Sequence, residues 1–330
     1  MFTYTLRRLA FAVPTVLVIS LVVFLMLDMA PGDPTASLPL TIPLEVREEI
    51  RAALGLGEPV VVRYVKWLHM MVINEPLHMI ARSTGWDIAP DGPRILSWQT
   101  RSPVGDIIVQ RIPQTLWVVG LGYLFGILIA LPIGVISAYR QYSWFDQAGT
   151  FVSMVGFSVP VFVIGYLLAY IFALELDWLP VQGYTPIARG FWPFLENLIL
   201  PTIALGSVYI ALIARITRAT MLEVLAQDYV RTAKAKGLGT RPILFLHALK
   251  NAAVPISTVI GIGIALLIGG AVVTESVFAI PGLGRLTVDA ILRRDYPVIQ
   301  GVVLLFSFVY VLVNLMIDLL YTVFDPRIRY

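Results

Sequence analysis

The chain has 330 residues, of which 58% are hydrophobic and only 14% charged, with a mean hydropathy of +0.82. These values lie outside the range of soluble globular proteins and indicate an integral membrane protein. Cysteine is absent, which excludes disulfides and thiolate metal sites, and the three histidines are scattered along the chain. No phosphate-binding loop, zinc-protease motif or nucleophile elbow is present. We therefore expect that the chain catalyses no reaction and binds no cofactor, metal or nucleic acid.

Six apolar runs are long enough to cross a bilayer as helices, which need about 20 residues. They are Leu9–Asp28, Thr115–Ala138, Thr150–Leu174, Leu195–Ala214, Pro255–Thr274 and Val298–Leu320. We therefore predict an all-α polytopic membrane protein with six transmembrane helices. The first run follows a pair of arginines but lacks a small-residue cleavage site, and we interpret it as a retained helix.

Charge distribution predicts the orientation of these helices. If both termini face the cytoplasm, four segments lie on the cytoplasmic side: residues up to Arg8, Tyr139–Gly149, Arg215–Val254 and Asp318 onward. They hold 12 Lys and Arg against 5 Asp and Glu, whereas the rest of the chain holds 12 against 16. Cytoplasmic segments are rich in basic residues, so the pattern indicates an N-in, C-in topology.

The sequence divides into three predicted parts. Residues 1–28 form the cytoplasmic N-terminus and first helix, 29–114 an extracytoplasmic segment, and 115–330 a core with helices two to six and a cytoplasmic loop at 215–254. The segment 29–114 is too long for a simple connection and must fold. Short helices are predicted at Pro43–Gly57 and around Tyr64–Met71, whereas no structure is predicted for 73–96. This insertion is either a small packed lid or a surface that receives substrate.

Small residues recur at every fourth position of two predicted helices. They are Gly122, Gly126, Ala130 and Gly134 in the second, and Ser257, Gly261, Ala265 and Gly269 in the fifth. Such stripes let helix backbones approach closely, because packing drives helix association in lipid. The stripes serve packing within the chain, or the fifth-helix stripe lies at a subunit interface or gate.

The cytoplasmic loop contains a predicted short helix with a basic, polar face. Its residues are Asp228, Tyr229, Arg231, Thr232, Ala233, Lys234, Ala235, Lys236 and Gly237. Gly237 is suited to ending the helix, and two lysines in the last turn favour the helix dipole. The helix either rests on anionic headgroups or docks into a groove on a soluble partner.

A second candidate segment follows the fifth helix. Pro281, Gly282 and Gly284 predict an outer turn, since proline fixes φ and glycine tolerates positive φ. Glu275 is expected near the membrane interface, as are Asp28, Glu196 and Asp318. The turn is a connector, or it is an outer gate or docking surface at which charged side chains meet a partner: Arg285, Arg293, Arg294 and Asp295.

Several long motifs point to one family. DYVRTAKAKGLG with HALKNAAVPI, WLPVQG, ESVFAIPGLGRLTVDAILRRDYPVIQG and the terminal DPRIR resemble permeases of ABC importers, specifically the first-permease type of the dipeptide/oligopeptide/nickel subfamily. The general importer pattern begins Glu-Ala-Ala where this chain has Arg231-Thr232-Ala233. That departure is similar to the peptide/nickel branch.

The resemblance implies an ABC type I importer fold in a bacterial or archaeal cytoplasmic (inner) membrane. It implies that Asp228–Gly237 is a coupling helix that seats on one or two ABC ATPase subunits, which would hold ATP and Mg. Further implied partners are a homologous second permease subunit, a periplasmic or lipid-anchored substrate-binding protein, and membrane lipids. Peptides are the expected cargo, with nickel chelates, glutathione and oligosaccharides as alternatives. An ATP-independent channel or secondary carrier is less consistent with the residues, because neither a proton relay nor a filter is recognisable.

Overall fold

The computed structural model describes residues 2–29, 48, 57–90 and 94–324, without the side chains of 2–7, 9, 265 and 319–324. Regular secondary structure in these residues is helical, beside one isolated bridge between Leu96 and Pro103. The helix predicted at Pro43–Gly57 lies outside the described residues except for its Glu48 and Gly57, as does the DPRIR motif entirely.

The longer described helices follow the chain in this order: α1 (Phe2–Asp28), α2 (Val60–His69), α3 (Glu75–Thr84), α4 (Val104–Tyr139), α5 (Trp144–Ser158), α6 (Val161–Leu168), α7 (Phe191–Leu225), α8 (Asp228–Ala235), α9 (Leu249–Val277), α10 (Leu283–Leu292) and α11 (Tyr296–Phe324). Three π-helical segments join or extend them, namely Met70–Asn74, Ala169–Glu175 and Ile243–Ala248. Short turns of helix occupy Ile187–Arg189 and Thr240–Pro242.

The predicted all-α membrane architecture is confirmed. Among the described residues, five helices are long and apolar enough to span a membrane, and a bent pair makes a sixth if it counts as one span. The prediction of one continuous third helix is wrong, because Trp144–Ser158 and Val161–Glu175 meet at 106°. Pro160 lacks a backbone N–H and forces the preceding Val159 into an extended conformation, with φ −89° and ψ 124°.

The chain folds into two compact units, one of which contains Pro113–Leu286 with 2–6 and 312–324. In this unit the small residues of α4 face α7. A Cβ at Gly122 would lie 3.1 Å from Leu205, and one at Gly126 would lie 2.9 Å from Tyr209. Both contacts advance by four residues in the same sense, so α4 and α7 run in the same direction. This direction agrees with their prediction as the second and fourth spans.

Helix α9 packs on the other side of the same α7 residues. A Cβ at Gly263 would lie 2.5 Å from the Tyr209 ring, and one at Gly270 would lie 2.8 Å from Leu205. The order is reversed here, so α9 runs antiparallel to α7. The fifth-helix stripe therefore predicts only part of the packing face. A Cβ at Gly261 would press on Ile317 of α11, whereas a Cβ at Gly269 would have no neighbour within 4 Å. The Ala265 side chain lies outside the described residues.

The other compact unit contains the described residues between 7 and 112, together with Thr287–Val311. The helix predicted around Tyr64–Met71 is confirmed as α2 with its π-helical extension. Residues 73–96, for which no structure was predicted, contain α3 and an ionic network. Arg94 bonds Glu75 at 2.6 Å and Asp106 at 3.1 Å, and Glu75 is almost fully buried. Desolvation lowers the pKa of Arg94, but its hydrogen bonds to both carboxylates outweigh that effect and raise the pKa overall.

We predict that the glycine contacts of α4 are required for stability. A Gly134→Ala substitution would place its Cβ 2.6 Å from Thr217 Cβ and 2.8 Å from the backbone oxygen of Ala214. Because a backbone atom cannot move aside easily, the free energy of unfolding should fall by about 1–3 kcal/mol. The control is Gly120→Ala in the same helix, which meets nothing within 4 Å and should leave stability unchanged or slightly higher. Denaturation in mild detergent compares the two, and equal effects would contradict the packing.

Candidate functional site

The segment Asp228–Gly237 forms a short helix with two distinct faces. Val230 and Ala233 are buried three residues apart and pack with Ile243 and Leu225. This apolar contact fixes the helix against the end of α7 and the π-helical segment that leads into α9. The prediction of a helix with a basic, polar face is confirmed.

The opposite face of α8 is exposed to solvent. Its exposed residues are Asp228, Tyr229, Arg231, Thr232, Lys234, Ala235, Lys236 and Gly237. Arg231 pairs with Asp228 at 3.3 Å, but both side chains are largely exposed, so the pair stabilises the helix only weakly. The face therefore carries exposed cations and one half-exposed tyrosine.

Gly237 ends α8 as predicted. Its φ is +82°, and its N–H donates to the Lys234 carbonyl at 2.9 Å. The N–H of Leu238 donates to the Ala233 carbonyl at 3.2 Å, which completes a Schellman cap. This geometry requires a residue that tolerates positive φ, and glycine does so without strain.

Two apolar side chains close to α8 were missed from the sequence. Phe245 and Leu246 are each more than 60% exposed, in the π-helical segment Ile243–Ala248. The segment that carries them packs against α8 through Ile243.

Glu275 is the second residue of interest, and its predicted position near the membrane interface stays a prediction. Its side chain is fully buried inside the protein and does not reach solvent. Thr115 donates to its Oε1 at 2.6 Å, and the backbone N–H of Arg285 donates to its Oε2 at 3.1 Å. Thr115 in turn accepts from the N–H of Leu283 at 2.7 Å. The carboxylate thus holds the turn after α9 against the start of the second predicted span.

The glycines of this turn serve a different purpose from the predicted one. Neither Gly282 nor Gly284 has positive φ; Ala279 adopts it instead, at +53°. A Cβ at Gly282 would collide with the Glu275 carboxylate, and one at Gly284 would collide with the Val272 backbone. Both glycines and Pro281 lie in a packed turn, so glycine is needed for close approach rather than for conformational freedom.

The charged residues predicted beyond this turn differ in accessibility. Arg293 and Arg294 are exposed, and Arg285 is half-buried. Asp295 is only 4% exposed, so the expectation that it offers a surface charge is wrong. It accepts hydrogen bonds from the Ser97 hydroxyl and from the N–H of Trp98 at 3.0 Å. Its charge is used to anchor a loop of the same unit.

Ser257, the remaining predicted gate residue, donates to carbonyls of its own helix. Within the described ranges there is no group of three or more His, Asp or Glu side chains that could hold a metal ion. The geometry therefore provides an exposed, basic face at α8 and a tightly closed turn at Glu275.

Comparison with known proteins identifies the family. Residues 130–330 match the family described as "Binding-protein-dependent transport system inner membrane component", and residues 1–119 match its N-terminal family. The chain belongs to this permease family. It is 46% identical over 328 residues to "Probable peptide ABC transporter permease protein y4tP" of Sinorhizobium fredii, with 99% of both chains covered.

Other relatives extend the same picture. The chain is 37% identical to "Dipeptide transport system permease protein DppB" of Alkalihalophilus pseudofirmus and to "Glutathione transport system permease protein GsiC" of Escherichia coli, with both chains fully covered in each case. Among solved structures, the MetNI methionine ABC transporter in inward-facing conformations matches with a TM-score of 0.55 and 17% identity. That match covers 66% of this permease and 96% of the other chain, and it shows a shared fold.

We predict that the Glu275 carboxylate stabilises the permease. A Glu275→Gln substitution keeps the side-chain volume but turns one acceptor into a donor, which then faces either Thr115 or the N–H of Arg285. The free energy of unfolding should fall by about 1–3 kcal/mol. Ser276→Ala, at the exposed neighbouring position, is the control and should change stability by less than about 0.5 kcal/mol. Similar losses in both variants would refute the role of this carboxylate.

A second prediction concerns the end of α8. Gly237→Ala forces alanine into positive φ with no steric neighbour within 4 Å, so the whole effect is conformational and should cost about 1–2 kcal/mol. Gly239→Ala is the matched control, because Gly239 has an ordinary φ of −66°. Hydrogen–deuterium exchange of the α8 amides should accelerate in the first variant alone. Unchanged exchange in Gly237→Ala would show that the cap does not hold the helix.

Proposed function

We propose that this permease is one of two homologous membrane subunits of an ATP-driven importer of di- or oligopeptides. In this proposal a substrate-binding protein delivers the peptide, and one or two ABC ATPase subunits hold ATP and Mg and supply the energy. The permease itself provides half of the path across the membrane.

The observation that carries the peptide assignment is the near-complete overlap with relatives named for peptide transport. The relatives from Sinorhizobium fredii and Alkalihalophilus pseudofirmus match from end to end, so the comparison does not rest on a shared domain alone. Glutathione, the cargo in the name of the relative from Escherichia coli, is itself a small peptide-like molecule. Glutathione is therefore the second candidate cargo.

The exposed face of α8 supports the proposed coupling to an ATPase. A helix held by Val230 and Ala233 can pass a push from a bound partner to the cluster it shares with Leu225 and Ile243. These two residues belong to the end of α7 and to the segment before α9. Movement of α8 would thus reach two membrane helices that pack on each other.

Charge reversal on the exposed face of α8 tests the coupling. The double variant Arg231→Glu/Lys234→Glu inverts two exposed cations that the structure places away from the apolar contact. Copurification of the ATPase and ATP-dependent uptake should both fall, by about tenfold or more, while the permease remains folded. The control is Arg241→Glu/Lys250→Glu, which makes the same change in charge at exposed positions outside α8. Equal loss in both variants would contradict a specific role for α8.

The cargo is tested by reconstitution of the copurified complex into liposomes with its binding protein. A labelled di- or tripeptide should accumulate only with ATP and binding protein present, and unlabelled peptides should compete with it. Competition by reduced glutathione at lower concentrations than by other peptides would favour the second candidate. Uptake by the permease alone without ATP would overturn the importer proposal.

A further inference from the structure

A cavity of about 320 Å³ lies among α4, α5 and α7 and takes no part in the sites described above. Its wall is apolar where Ile133, Met154 and Phe157 line it, and polar where Ser137 and Arg215 line it. All these residues belong to the same compact unit.

One positive charge in the cavity wall has no carboxylate partner in the described part of the chain. Arg218 also lines the cavity, but it forms a two-pronged ion pair with the buried Asp146, at 2.5 and 2.8 Å. Arg215 lies 5.4 Å from the centre of the Phe157 ring and pairs with no carboxylate among the residues that the structure describes. Arg215, Arg218 and Asp146 therefore carry a combined charge of +1, which favours the binding of a singly charged anion.

A buried hydroxyl also faces the cavity without a partner. Ser137 is 2% exposed, and its Oγ has no hydrogen-bond partner in the described part of the chain. Gly149 leaves room beside it, since a Cβ there would lie 3.1 Å from the Ser137 Oγ. A buried hydroxyl is costly unless it is hydrogen-bonded, so this site is suited to an acceptor oxygen.

The position of the cavity along the helices indicates from which side of the membrane an anion would enter. Arg215 begins the segment that the charge distribution assigns to the cytoplasm, and α5 starts within the preceding cytoplasmic segment, Tyr139–Gly149. Helix α5 exposes the large apolar side chains Met154 and Phe157, which line the cavity. An apolar wall next to an unpaired cation at the inner membrane boundary matches a lipid, which joins an anionic headgroup to acyl chains.

We propose that this cavity binds the phosphate of an anionic phospholipid from the cytoplasmic leaflet. Arg215 pairs with the phosphodiester, and Ser137 donates a hydrogen bond to one of its oxygens. The acyl chains lie against Met154 and Phe157. The lipid would thereby bind the cytoplasmic ends of α4, α5 and α7, independently of which cargo the permease carries.

The test uses the full-length permease in nanodiscs of phosphatidylcholine that contain photoreactive phosphatidylglycerol, with crosslinked peptides identified by mass spectrometry. Crosslinks should concentrate on residues 133–158 and 211–219, and excess unlabelled phosphatidylglycerol should suppress them whereas extra phosphatidylcholine should not. Arg215→Gln should lower the labelling about fivefold. Arg140→Gln is the matched control, because Arg140 is exposed on the same predicted side but does not line the cavity.

A cavity-filling variant tests whether the lipid occupies the cavity without changing the charge of its wall. Gly149→Leu leaves every charge in place but fills the space beside Ser137, and it should also remove the labelling. Equal labelling of wild type and Arg215→Gln, or equal competition by both lipids, would overturn the proposal. Competition by millimolar inorganic phosphate would assign the site to a free anion, and competition by peptide would assign it to cargo; either result would also overturn it.

Discussion

Close helix packing in the membrane core depends on two large side chains of α7 that insert between glycines of α4 and α9. Leu205 and Tyr209, one turn apart and both buried, each contact a glycine on either side. Lipid provides little hydrophobic drive for helices to associate, so close packing must hold them together. Any added Cβ at these glycines would press on the α7 side chains. The glycines concerned are Gly122, Gly126, Gly263 and Gly270.

This packing gives the proposed coupling a continuous physical route. Helix α7 runs unbroken from Phe191 through Tyr209 to Leu225, and Leu225 packs with the buried side of α8. The same cluster includes Ile243, in the segment that leads into α9. A partner that displaced α8 would therefore act on both helices that meet at Tyr209. The tightly closed turn at Glu275 holds the far end of α9 by hydrogen bonds to Thr115 of α4 and to the backbone of Arg285.

Local signals in the sequence predicted much of this fold. Apolar length predicted the spans, and a cationic last turn followed by Gly237 predicted α8 and its end. Features that depend on distant partners were not predictable in this way: Glu275 is buried because Thr115, 160 positions away, supplies a donor. Hydropathy also could not reveal the 106° bend at Pro160, since the run on both sides of it is apolar. The glycines of the PGLG turn were recognised, but their role follows only from what surrounds them.

The most direct test of the packing account is a double-mutant cycle between Gly263 and Tyr209, measured as free energies of unfolding in mild detergent. The account predicts that Gly263→Ala costs about 1–3 kcal/mol in the wild-type background, because its Cβ presses on the Tyr209 ring. In a Tyr209→Ala background, where the ring is gone, that cost should disappear. An equal cost in both backgrounds would show that α7 and α9 are not held at this contact and would contradict the account.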